Sequence, residues 1–238
     1  MAKETIEIQY DFEWEDKRKL NYLISIDKGS LKHQHPKPSA VPLPKWVGLE
    51  VEKCKGCPLA VSSHPQCPVA VSLFELTDFF KSEKSYSNVK VKVTTPERTV
   101  NSDIPLQKAV QSIFGALMAT SGCPKLNFLA PMARFHLPFS TTEETIVRSL
   151  SFYLVSQLFL AKSGKTPDWN LKNFEKNYAE LVNVNEGLSR RIHKANQEGQ
   201  ASGDAMPNAI AILDAFAQIL SMEIEEGFPS IAYLFKPT

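Results

Sequence analysis

Ile6-Glu7-Ile8-Gln9-Tyr10-Asp11-Phe12-Glu13-Trp14 alternates apolar and polar residues without a break. A strand places successive side chains on opposite faces, so this run predicts a half-buried strand with one wet side. Leu20, Tyr22, Ile24 and Ile26 repeat the pattern after a short charged turn, Glu15 to Lys19, and Asp27-Lys28-Gly29-Ser30 closes the second arm with turn residues. An antiparallel hairpin follows. His33 to Trp46 is rich in proline and reads as loop or extended chain. Val89, Val91 and Val93, separated by Lys90 and Lys92, offer one more strand.

From Asp103 onward the period becomes helical. Leu106, Ala109, Val110, Ile113, Phe114, Leu117 and Met118 form a stripe that starts near Pro105 and stops at Gly122. Ser140-Thr141-Thr142-Glu143-Glu144 holds two overlapping capping boxes. The helix they open is apolar almost all round, from Ile146 to Phe159, and is expected to be the central, most buried one, ending at Gly164. Leu171, Phe174, Tyr178, Leu181, Leu188 and Ile192 mark a long amphipathic helix, and Ile210, Leu213, Phe216, Leu220 and Ile224 a last one. The expected class is α+β. A small antiparallel sheet near the N-terminus packs on a mostly helical C-terminal bundle of about four helices. Residues 1–100 form the β-rich part with a cysteine-bearing loop and 101–238 the helical part, expected as one compact unit joined by a metal site.

Composition narrows the function. Net charge is +1, from 27 basic and 26 acidic residues, without the basic excess of a nucleic-acid binder. The opening Met-Ala-Lys-Glu-Thr lacks a signal-peptide pattern, and the most apolar run, Ile146 to Ala161, is short for a bilayer and carries Arg148 and Gln157. A cytoplasmic chain with neither nucleic acid nor membrane as partner is expected. Oligomeric state is not legible. No Walker loop, GxGxxG, HExxH or GxSxG occurs, which removes support from nucleotide-phosphate enzymes and the common hydrolases.

The four cysteines carry the chemistry: Cys54-Lys-Gly-Cys57-Pro, Cys67-Pro and Cys123-Pro. In a reducing compartment clustered thiols bind metal or react more often than they pair. Gly56 allows a tight turn that aims Cys54 and Cys57 at one point. Cys67 stands at the start of a helical stripe, Val69, Leu73, Phe74 and Phe80, where backbone N–H groups favour a thiolate. Cys123 leaves the end of the earlier helix on Gly122. Proline after cysteine is characteristic of iron–sulfur loops, so the expected centre is an iron–sulfur cluster serving electron transfer or cluster-based catalysis. A redox partner protein or a small-molecule substrate goes with it. Structural four-cysteine zinc is the alternative, and metal-free thiol redox at Cys54 and Cys57 the next. Set against all three, buried cysteine often serves only as a small hydrophobe.

Downstream, Arg134 and His136 stand two apart between helices. In extended chain they face the same side, and beside a cluster they are candidates to bind an anionic substrate and move a proton. The plainer reading has them satisfying helix-end carbonyls. Further candidates are His33 with His35 and His64 as metal ligands, and Arg190-Arg191-Ile-His193-Lys194 as an anion site or simply a solvated helix end. Asn185 replaces an apolar residue in its stripe, and is a candidate to line a polar pocket with His136 or to set packing register.

Overall fold

The structure, a computed structural model, describes residues 4–34, 43–197 and 203–235. Strand β1 (Thr5–Trp14) pairs with β2 (Lys19–Asp27) on one side and β3 (Asn88–Thr94) on the other, and β4 (Thr99–Pro105) completes an antiparallel sheet of order β2-β1-β3-β4. Ile6, Ile8, Tyr10, Phe12 and Trp14 all lie on the buried face, with Ile24, Ile26, Val89, Val91 and Val93 beside them. On the wet face Asp11 stands opposite Lys92 and Glu13 opposite Lys90, so cross-strand charges alternate favourably.

Six helices follow the α+β expectation: α1 (Pro68–Phe80), α2 (Leu106–Thr120), the short α3 (Ala130–Arg134), α4 (Thr142–Lys162), α5 (Lys172–Gln197) and α6 (Ala205–Glu226). The second capping box forms: Thr141 Oγ1 accepts from the Glu144 N–H at 3.2 Å, and the Thr141 N–H donates to Glu144 at 2.8 Å.

Two sequence expectations fail. The helical period begins at Leu106, because Thr99–Pro105 is the edge strand β4, in register with β3 (Lys90 opposite Asp103). Its Asn101, Ser102 and Asp103 meet solvent, and a polar edge strand shows little alternation. The central helix is α2, not α4. It packs against α1, α3, α6 and the sheet, with Leu106, Ala109, Val110, Ile113, Phe114 and Leu117 fully buried. Each of its large side chains contributes roughly 1.5–3 kcal/mol of burial. Helix α4 lies at the periphery, and its Val155 and Phe159 are 50% and 65% exposed. Apolar residues all round a helix report composition, not what covers each face.

One core runs from the sheet through α1, α2, α5 and α6, so the β-rich and helical parts share a single apolar interior. A second cluster ties Ile146 and Tyr153 of α4 to Phe174, Tyr178 and Leu220. Among the described residues α6 alone is long and apolar enough to cross a membrane, with mean hydropathy 1.3. Here it lies against α2 and α5.

Candidate metal centre

The cysteine loop is closed at its base. Leu49 N–H donates to Pro65 at 2.9 Å and Cys67 N–H to Val47 at 2.9 Å, pairing the two ends of the segment that holds Cys54 and Cys57. Arg191 reaches this base from α5. It is 3% exposed, and its guanidinium donates to the carbonyls of Trp46 (2.7 Å), Gly48 (2.6 Å) and Leu49 (2.9 Å). Within the loop, Cys57 N–H donates to the Cys54 carbonyl at 3.1 Å. Gly56 supplies the turn with φ +66°, a conformation cheap for glycine alone. Cys67 is the N-cap of α1, with Pro68 following as the first helical residue. Cys123 comes off the end of α2 after Gly122, whose φ is +81°.

These three chain segments bring all four thiols, unpaired, to one small cavity of about 20 Å³, walled also by Gly187, Leu188 and Arg191 of α5. Gly187 makes the approach possible: a Cβ there would stand 3.0 Å from Cys54 Cβ and 3.3 Å from its Cα. Lys125, two residues after Cys123, ties the rim by donating to the Lys55 carbonyl and pairing with Glu180, its side chain 7% exposed. Burial pushes the Cys123 thiol up to about 12, with smaller contributions from the other three cysteines. Burial also raises Cys54, and the adjacent Cys57 adds to the shift. Such thiols are protonated at neutral pH, so any metal they take displaces protons. Among the described residues no three His, Cys, Asp or Glu side chains are arranged to hold a single metal ion.

Arg134 and His136 part company. Residues 130–134 are helical rather than extended, and Arg134 turns outward to pair with Glu97 at 2.8 Å, over the Phe135 ring. His136 instead lines a different cavity, of about 160 Å³, that shares no lining residue with the cysteine cavity. There its Nε2 lies 2.5 Å from the Tyr10 hydroxyl, which lies 2.9 Å from Ser112 Oγ. Burial and the charge of Arg148 push His136 down to about 3, so it is neutral at pH 7.

The weaker candidates fall apart in the same way. His33 is buried against the end of α2, its N–H bonded to Thr120, while His35 lies outside the described residues. His64 is exposed and bonded to Ser63, away from the cysteine cavity. Of the basic run, Arg190 pairs with Glu52 and Glu186, His193 lies 3.0 Å from Gln197, and Lys194 is exposed, whereas Arg191 alone turns inward. Asn185 is buried without a hydrogen-bond partner among the described residues and does not line the His136 cavity.

Sequence reasoning missed Gly187 and Lys125 at the centre and read Arg191 only as part of a basic run at a helix end. Arg191 continues the buried row of Val184 and Leu188 at helical spacing, a sign that it faces inward despite its charge. Gly187 interrupts a long helix, where glycine costs about 1 kcal/mol against alanine and so marks a close approach. Lys125 carried no such signal, since its partners lie far along the chain. No curated protein and no solved structure matches the chain. Residues 8–236 match the family described as a domain of unknown function, DUF6901, and the chain belongs to that family.

Proposed function

We propose that this chain is a cytoplasmic metal-binding protein in which Cys54, Cys57, Cys67 and Cys123 hold an iron–sulfur cluster, used for electron transfer to a partner protein or a small molecule. The observation that carries the reading is the company the thiols keep. Four cysteines from three segments border one cavity together with Arg191, a buried cation bonded only to carbonyls. A buried charge without an opposite charge is costly. A centre ligated by four thiolates is anionic, and it would balance Arg191; Lys125 already pairs with Glu180, and Glu52 at the cavity's edge pairs with Arg190.

Proline follows Cys57, Cys67 and Cys123, which suits an iron–sulfur loop better than a zinc knuckle. The small cavity favours zinc as the second reading, a staple between the loop and α5. Because Arg134 and His136 do not line this cavity, the reading assigns them no proton transfer at the cluster.

Anaerobic purification followed by metal analysis and a visible spectrum tests it. A cluster gives brown protein with broad absorption near roughly 400 nm that dithionite bleaches. Colourless protein with about one zinc per chain, lost to chelator, replaces the cluster with the staple. Metal-free protein that forms a Cys54–Cys57 disulfide on mild oxidation overturns both.

A further inference from the structure

The larger cavity mixes two kinds of lining that the cysteine centre lacks. Apolar side chains of Ala116, Leu129, Leu213, Phe216 and Leu220 line it together with Arg148, His136 and the hydroxyl-bearing Ser112, Ser149 and Tyr178. No acidic residue lines it, and Arg148 is its one charged side chain among the described residues. Arg148 Nη2 donates to the carbonyls of Met132 (3.2 Å) and Phe135 (2.8 Å), which fixes the guanidinium plane. Its Nη1 and Nε have no hydrogen-bond partner among the described residues. Glu144, the acidic group whose charge acts on Arg148, is committed to the backbone N–H of Thr141 in the helix cap. Tyr178 donates to Ser149 at 2.7 Å, and Ser149 Oγ donates to Met132 Sδ at 3.5 Å, a weak acceptor that a carboxylate oxygen can outcompete.

A fixed guanidinium edge next to hydroxyl and imidazole donors is the arrangement that recognises a carboxylate, through charge-assisted bonds of matched geometry. The apolar lining offers contact to whatever the carboxylate is attached to. In size the space resembles the engineered cavity of about 150 Å³ that takes up benzene. We propose that this cavity binds a compact monocarboxylic acid, its carboxylate on Arg148 and its hydrocarbon or aryl body against Leu129, Leu213 and Phe216. A bound carboxylate places negative charge between Arg148 and His136, where only positive charge and neutral donors stand now. The proposal is independent of the metal centre, with which the cavity shares no residue.

Calorimetric titration of the full chain, with whatever metal it carries, compares benzoate with benzyl alcohol, a neutral probe of similar shape. Saturable one-to-one binding of benzoate, at least about tenfold tighter than benzyl alcohol, is expected. Arg148→Gln should remove that preference. Because Arg148 also supports two carbonyls, Ala119→Leu, at another residue lining the cavity, provides a second variant that fills the space and leaves the guanidinium in place. It should lose benzoate binding by at least about tenfold while circular dichroism stays native. Absence of benzoate binding overturns the proposal, as does equal affinity for the two probes. Benzoate binding that persists in a folded Ala119→Leu protein also overturns it, since the acid then sits elsewhere.

Discussion

Helix α5 serves two cavities a turn apart, and they are built from opposite chemistries. Tyr178 and Leu181 face the larger one; Val184, Gly187, Leu188 and Arg191 face the smaller. The smaller is walled by thiols, soft ligands suited to a metal centre. The larger sets N–H and O–H donors among apolar side chains, suited to an oxyanion carried on an apolar body. Each holds one inward arginine, yet Arg191 is fastened to three loop carbonyls while Arg148 holds two and leaves an edge open. The same residue type thus acts as a pin at one site and as a receptor at the other. Its unused donors decide which.

The sharpest way to break this contrast is to remove a thiol. Cys123→Ser should cut bound metal by more than about tenfold, read by metal analysis, because the fourth ligand ties the loop to the core. If the variant keeps full metal content, the cysteine cavity is not a shared site. Arg191→Met comes next. It strips three carbonyls, two of them buried, of their donor and should cost about 3–5 kcal/mol in urea unfolding. Arg191→Lys should recover only part of this, since a point charge cannot span three acceptors as a planar fork does. A loss below about 1 kcal/mol for Arg191→Met would show that the loop base stands without its pin.

How much of this contrast is legible in the chain differs by region. The alternation of Ile6 to Trp14 and the stripe of Leu106 to Met118 report burial directly, so the hairpin and α2 are readable. The turn at Gly56, the exit at Gly122 and the cap at Cys67 are also readable, because glycine and proline declare local backbone. The short helix Ala130–Arg134 is not: Pro131 reads as a breaker, although proline fits a first helical turn. Treating that segment as extended wrongly sets Arg134 beside His136. The Tyr10–His136 contact joins residues 126 apart in sequence, and no periodicity announces it.

Acid sharpens the comparison from the other side. The imidazole of His136 is held near 3 when folded and titrates near 6.5 when unfolded. Between those values the unfolded chain binds the extra proton, so stability falls as pH drops below about 6.5. Wild type should lose about 1–2 kcal/mol between pH 7 and pH 5 from this group, beyond what His136→Gln loses. Parallel urea midpoints for the two proteins would expose a histidine that is solvated after all.

Two glycines give the finest contrast, one at each cavity and both inside helices. At Gly187 an added Cβ meets the Cys54 backbone and Cβ at 3.0–3.3 Å, so Gly187→Ala should push the loop away. The strain outweighs the gain in helix propensity by about 1 kcal/mol, and metal content should fall with it. At Gly115 the nearest atom to an added Cβ is Leu213 Cδ2 at 3.9 Å, an ordinary contact. Gly115→Ala should therefore stabilise the protein by about 0.5–1 kcal/mol through backbone entropy alone. The same methyl enters the larger cavity, so benzoate binding should weaken while metal content is unchanged. Thermal melts with metal analysis separate the two outcomes. If both substitutions shift stability in the same direction, the two cavities do not differ in how tightly their helix backbones are approached, α5 at Gly187 and α2 at Gly115.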